Sequence, residues 1–315
     1  MTTVASSRRQ VAGVLATLLA TCCLLPATVV AADTTAAFLK IGVGARPIGM
    51  GSAFTAIADD INAVHWNPAG LAQLNKRELG AMDAQLFADT RLDFIGFATP
   101  FKKGTLAFSS LYLSQGAIEA RGSNRERLGT FTAADTALAA SFARGIGHGI
   151  SLGITGKYLQ SRIAEASAQT FALDVGILAH TGIDGLTFGA AVQNAGPGMK
   201  FLSERSNLPL TGTAGVALRL PIGLVISADL KRQVYDQRNS FSMGTELPIM
   251  KALALRAGYL SAITGGPSAN GQRLQDARGL GAGVGVRLQS FTMDYAFTPM
   301  GELGNTQRLS FGVKF

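Results

Sequence analysis

Cysteine is all but missing. The 315-residue chain has two, Cys22 and Cys23, and both fall in an apolar leader. Beyond the leader there is no disulfide framework, no thiol nucleophile and no cysteine-bound metal. Histidine is nearly as scarce, with His65, His148 and His180 alone and no His-x-x-x-His spacing, which removes the usual metal centre. No Gly-x-Ser-x-Gly elbow occurs either. The chain is therefore expected to be no enzyme and to carry no cofactor and no metal. Charge is thin, with Asp, Glu, Lys and Arg making up 15% of residues. After residue 32 nothing approaches the roughly 18 consecutive apolar residues that a membrane helix needs. Yet mean hydropathy is +0.26, and there are 38 glycines. Apolarity without a spanning helix is what a transmembrane β-barrel shows, because its apolar residues are spread over alternate positions.

The leader has the parts of a secretory signal: Arg8 and Arg9, an apolar run from Val11 to Leu25, and Val30 and Ala32 at the −3 and −1 positions. Cleavage is expected after Ala32. An uncleaved anchor is opposed by Pro26 and the short run, and a lipoprotein by the apolar run that continues past Cys22. The formal charge is +8, two units of it from Arg8 and Arg9. Lys and Arg are interspersed with acidic residues rather than clustered, which excludes nucleic acid as a partner. These charges are assigned to a lumen and to loops facing anionic lipopolysaccharide.

Period-two segments dominate the rest. In "QRLSFGVKF", Leu309, Phe311, Val313 and Phe315 share one face, and Arg308, Ser310, Gly312 and Lys314 the other. "FTMDYAFT", "TFALDVGILA" and "GLVISADLK" repeat the pattern. Fourteen such runs are expected between Glu78 and Phe315, beginning near residues 78, 91, 104, 130, 148, 168, 185, 210, 223, 239, 252, 278, 291 and 307. Their connections alternate between short turns such as "GIGHG" and "LPIG" and long loops such as "TGGPSANGQRLQDA". Short turns on one side and long loops on the other are the habit of outer-membrane barrels. The fold class read from this is all-β, a 14-stranded antiparallel transmembrane barrel, with residues 1–32 as signal, 33–77 as an N-terminal luminal plug, and 78–315 as barrel.

The plug follows from residues 33–77, which are too apolar for a solvated tail and too rich in bends for one helix. Gly42, Gly44, Gly49, Gly51 and Pro47 mark bends, Ser52 is placed to cap a short helical turn, and Asn67-Pro68 with Gly70 fixes a tight turn. In a barrel the lumen is the one roomy shelter for such a segment. Asn67, Pro68, Ala69 and Gly70, beside Trp66, serve either as a moving gate or as a rigid anchor. Asp59 and Asp60 either bind a cation or pair with luminal arginines, or they cap a helix end as solvated charges, the last being favoured. The inward charges of both signs are expected to form a closed network rather than a wide pore. Gly279, Gly281, Gly283 and Gly285 recur at period two and present a bare inner face, read as the place that receives the plug.

The stretch "GARPIGMGSAFTAIADDINAVHWNPAGLA" resembles the N-terminal signature of PorV/PorQ-type proteins, within the wider superfamily of FadL-type long-chain fatty acid transporters. Two positions depart from the signature: Ser52 stands where a glycine is usual and His65 where an aromatic is usual. The resemblance implies a 14-stranded outer-membrane barrel with a luminal hatch. It also implies a hydrophobic, fatty-acid-like ligand in the transporter branch, or a secretion-system partner in the PorV branch.

Overall fold

The computed structural model describes residues 34–121, 124, 126–201, 204–264, 279–299 and 305–315. The expected signal peptide lies outside them. From Glu78 onward most of the described residues are in strands. The first seven strands are β1 (Glu78–Gln85), β2 (Thr90–Phe101), β3 (Gly104–Arg121), β4 (Arg127–Gly147), β5 (Ile150–Ile163), β6 (Ala166–His180) and β7 (Leu186–Ala195). After a small hairpin, β8 (Met199–Phe201) and β9 (Glu204–Ser206), come β10 (Thr211–Arg219), β11 (Val225–Gln233), β12 (Arg238–Met250) and β13 (Leu253–Thr264). The last three are β14 (Leu280–Leu288), β15 (Phe291–Pro299) and β16 (Asn305–Lys314).

Fourteen of these strands form one closed antiparallel barrel, with β8 and β9 standing apart as a two-stranded sheet. Closure is made by β16 pairing back onto β1, from Glu78 opposite Lys314 to Gln85 opposite Gln307. Lipid offers no water to satisfy an unpaired backbone edge, and joining the ends removes the edge. Among the described residues no helix is long and apolar enough to cross a membrane.

The alternation read from sequence sets the two faces. Leu152 and Ile154 on β5, and Phe171, Leu173 and Val175 on β6, point outward and are exposed. Thr155, Lys157, Ala172 and Asp174 between them are buried. Aromatic rings sit at both ends of the outer band. Phe97 stacks on Phe315 and Phe101 lies against Phe142 at the short-turn end, while Tyr158 and Phe171 meet toward the other. An apolar band bounded by aromatic girdles is the outer surface of transmembrane barrels.

Two features differ from expectation. The hairpin β8–β9 lies inside what reads as an unbroken loop, because three-residue strands are too short to show a period. β3 and β4 run on beyond their apolar segments, pairing from Ile118 opposite Phe131 to Arg121 opposite Arg127 after a register shift.

Residues 34–77 contain four short helical pieces, at Ala37–Lys40, Ala45–Gly49, Ala63–Trp66 and Pro68–Gln73. They supply a large part of the apolar core, including Phe38, Val43, Met50, Phe54, Trp66 and Leu71, all at most 3% exposed. The segment begins beside the long loops, where the Thr35 amide donates to the Asn207 carbonyl (2.9 Å) and Lys40 pairs with Asp236 (2.7 Å). It leaves at the opposite end, where Arg77 and Phe315 exchange backbone hydrogen bonds of 3.0 Å each.

Candidate functional site

The candidate site is the contact between residues 44–73 and the inward faces of the strands. Its geometry is set by glycine. A methyl group added to Gly153 on β5 would overlap the backbone of Pro68 and Ala69, and one on Gly176 of β6 would overlap the Asn67 amide. On Gly189 of β7 it would strike the Thr55 carbonyl, on Gly244 of β12 the Met50 carbonyl, and on Gly258 of β13 the Met50–Gly51 peptide. Gly80 and Gly96, on β1 and β2, both face Ile61. Glycine weakens a strand, and its recurrence at inward positions fits close approach by another backbone.

Of the four alternating glycines, Gly279 just before β14 and Gly281, Gly283 and Gly285 within it, Gly281 and Gly283 meet the segment, at the Ile48 carbonyl and at the Gly49 Cα. Gly279 and Gly285 do not: Gly279 abuts the Leu260 backbone, and Gly285 abuts the Arg256 and Asp294 side chains. The bare face is thus shared between the segment and neighbouring strands. Gly51 has φ +63° and lies against Tyr259 and Gly258, so a side chain there is excluded by conformation and by space.

Asn67 is fully buried. Its Oδ1 accepts from the Ala69 amide (3.2 Å), and its Nδ2 donates to the Thr55 carbonyl (2.8 Å) and to the Ile177 carbonyl on β6 (3.0 Å). The side chain thereby caps the Pro68–Gln73 turn and ties it to the wall. Pro68 occupies the first helical position, where its missing N–H costs nothing. Gly70 faces the Ala58 carbonyl too closely for a Cβ. The Trp66 indole donates to the Val43 carbonyl (2.8 Å), and the Lys231 ammonium stands 5.3 Å from its ring.

Ser52 does not cap the turn that follows it; its φ is +69°. The cap comes from the wall. Asp229 on β11 accepts from the Phe54 and Thr55 amides (2.9 and 2.8 Å), and Ser227 donates to the Ala53 carbonyl (2.8 Å).

Asp59 and Asp60 are paired, not solvated. Both accept from the Arg46 Nη1, at 2.5 and 2.9 Å. The rest of the Arg46 guanidinium makes a two-pronged contact with Glu246 on β12 (2.7 and 3.0 Å). Glu246 also accepts from Arg256 (2.6 Å), which reaches Asp294 (2.7 Å), and Asp59 accepts from Arg219 (2.9 Å). Burial alone would lower the Arg46 pKa, but Asp59, Glu246 and Asp60 together hold it well above its ordinary value. Burial pushes Asp60 up; it pushes Asp59 up as well, but Arg46 and Arg219 together outweigh it and pull Asp59 down. This network borders a cavity of about 400 Å³ at the short-turn end, lined also by Lys314, Glu78 and Arg287. Among the described residues no cluster of ligands could hold a metal ion.

Sequence reasoning missed Arg46 as the hub. Its signal was a lone charge in an apolar stretch, matched by Glu246 and Arg256 on inward positions far along the chain.

His65 is partly buried, and its pKa is held well below the ordinary 6.5 by burial and by the nearby charges of Lys157 and Lys231. It is neutral when seated. A released segment takes up a proton below pH 6.5 that the seated one refuses, so seating weakens as pH falls through that value. The protection of the amides of residues 44–73 against hydrogen exchange, taken relative to the intrinsic rate at each pH, is expected to be lower at pH 5.5 than at pH 7.5, and His65→Gln should abolish the part of the change due to this group. An unchanged pH response in the variant would remove His65 from the account.

The barrel has the fold of several solved outer-membrane channels. The toluene transporter TodX of Pseudomonas putida is 12% identical with a TM-score of 0.62, over 87% of this chain and 97% of that one. The toluene transporter TbuX of Ralstonia pickettii is 12% identical with a TM-score of 0.61, over 87% and 98%. A FadL homologue of Pseudomonas aeruginosa is 13% identical with a TM-score of 0.58, over 91% and 99%. No curated protein matches in sequence. A family model does match, over residues 27–207, which is more than half of the chain. That match ends beyond β9 and takes in the whole N-terminal segment with half of the barrel wall, and by it the chain belongs to the Uncharacterised protein family (UPF0164).

Proposed function

We propose that the protein is an outer-membrane barrel that binds or admits hydrophobic, fatty-acid-like small molecules past residues 33–77, which act as a luminal hatch. The observation that carries this reading is the pairing of a channel fold with a segment seated on inward glycines of seven or more strands. The solved relatives include hydrocarbon and toluene transporters, which supports the same class of ligand here. In this reading Asn67 to Gly70 anchor the hatch, Asp59 and Asp60 hold its lower end, and the long loops face lipopolysaccharide outside a diderm cell.

A second reading is a sealed, PorV-like partner barrel for protein secretion or surface assembly. One observation favours it: the cavity at the short-turn end is walled by ion pairs, a poor surface for a hydrophobic molecule to cross. Vesicles carrying the purified protein should bind or accumulate labelled fatty acid or toluene above protein-free vesicles. Equal uptake, together with a stoichiometric protein partner recovered from native membranes, would replace the first reading by the second.

A further inference from the structure

The two ends of the barrel are charged differently. At the long-loop end exposed cations and acids are mixed: Arg91 pairs with Asp83 and Asp93, Arg121 and Arg127 both pair with Glu119, and the exposed Arg162, Lys200, Arg205 and Arg238 share that end with the exposed Asp89, Glu126, Glu165 and Glu204. At the short-turn end acids are all but missing. Lys76, Arg77, Lys102, Lys103, Arg144 and Lys251 are all exposed there, and none has a carboxylate within 4 Å among the described residues. Asp184 is the one exposed acid on the turns of that end.

The same turns carry or adjoin exposed apolar side chains. Ile183 and Ile222 lie in the turns themselves, the second at 72%, and Phe101, Ile146, Met250 and Leu288 stand on the strand ends beside the other four. Turn tips in water are ordinarily Gly, Asn, Asp or Ser. Apolar side chains interleaved with unpaired cations suit the boundary of an anionic lipid layer, where the first sink to the acyl level and the second meet phosphate.

The distribution selects lipid over protein. These apolar side chains recur at or beside every short turn between β2 and β15, so they follow the whole rim. A protein partner would take one sector, whereas lipid surrounds a barrel on all sides. We propose that the short-turn rim is a binding surface for anionic phospholipid headgroups of the adjoining leaflet, held by Lys102, Lys103, Arg144 and Lys251 beside these apolar side chains. The proposal rests on the membrane-barrel reading but not on what the barrel carries.

The full-length protein, purified in a neutral detergent, is titrated with phosphatidylglycerol and separately with phosphatidylcholine, and retained lipids are counted by native mass spectrometry. Phosphatidylglycerol is expected to be retained at tenfold or more lower concentration, with the preference shrinking in 0.5 M salt. A surface cation contributes on the order of fivefold, so K102Q/K103Q/R144Q/K251Q should erase the preference. R121Q/R127Q, at the other end, should keep it, and heat-modifiability on gels verifies that each variant remains a barrel. Equal retention of the two lipids by the unaltered protein overturns the proposal, whatever the variants do. So does displacement of phosphatidylglycerol by polyglutamate at equimolar amounts, which would point to an acidic protein partner. Failure of fatty-acid uptake leaves this result untouched, because the readout does not involve transport.

Discussion

Replacing Arg46 by alanine is expected to convert a silent protein into a conducting one in planar bilayers. The guanidinium touches three carboxylates, Asp59, Asp60 and Glu246. Removing it leaves three negative groups facing one another in a largely buried site. Breaking a buried pair from one side costs about 3–5 kcal/mol. Arg219 still reaches Asp59 and Arg256 still reaches Glu246, so the lower end of that range applies. About 3 kcal/mol is roughly two orders of magnitude in the population of the unseated segment. Arg46→Lys keeps the charge but loses the planar fork that grips Glu246 with two bonds, and should fall between. Steady silence in Arg46→Ala, with the barrel intact on gels, would show that the ion pairs do not hold the segment in place.

The second large effect comes from two methyl groups. Gly258→Ala pushes a Cβ into the Met50–Gly51 peptide, and Gly153→Ala pushes one into Pro68–Ala69. In both cases the atoms struck are backbone, which cannot rotate away as a side chain can. Overpacking typically costs 1–3 kcal/mol per site. The two contacts lie on different strands and touch different parts of the segment, so their costs should add. The double variant is expected to lose about 2–6 kcal/mol of seating, read as trypsin cleavage at Lys40 and Arg46 that rises at least thirtyfold. Gly156→Ala serves as the control, because a methyl group there meets open space. If the double variant resisted trypsin like the control, close backbone approach would not be what positions the segment.

The barrel was legible in the sequence because its physics is local. An outward residue meets lipid and an inward one does not, and this repeats every second position whatever the distant chain is doing. Leu309, Phe311 and Val313 announce β16 without reference to β1. The contacts of residues 44–73 were less legible, because they depend on pairs from strands far apart. Nothing near Arg46 points to Glu246, 200 residues away. Nothing near Phe54 says that its helical turn is capped by Asp229 rather than by Ser52. The glycine pattern was readable at β14, where four glycines alternate from Gly279, just before the strand, to Gly285. Gly153, Gly176, Gly189, Gly244 and Gly258 carry the same message one strand at a time, and a single glycine in a strand is too common to stand out. Asp59 and Asp60 read as solvated for a similar reason, since their cations belong to Arg46 in an apolar stretch and to Arg219 on β10.

The path of residues 34–77 carries one more consequence. Thr34 and Thr35 touch Asp236 and Asn207 at the long-loop end, while Arg77 meets Phe315 at the other. The segment therefore spans the ring lengthwise and continues at its exit into β1, one half of the seam. Whatever loosens it leaves it leashed at that mouth, so a length dislodged from the wall stays close enough to reseat.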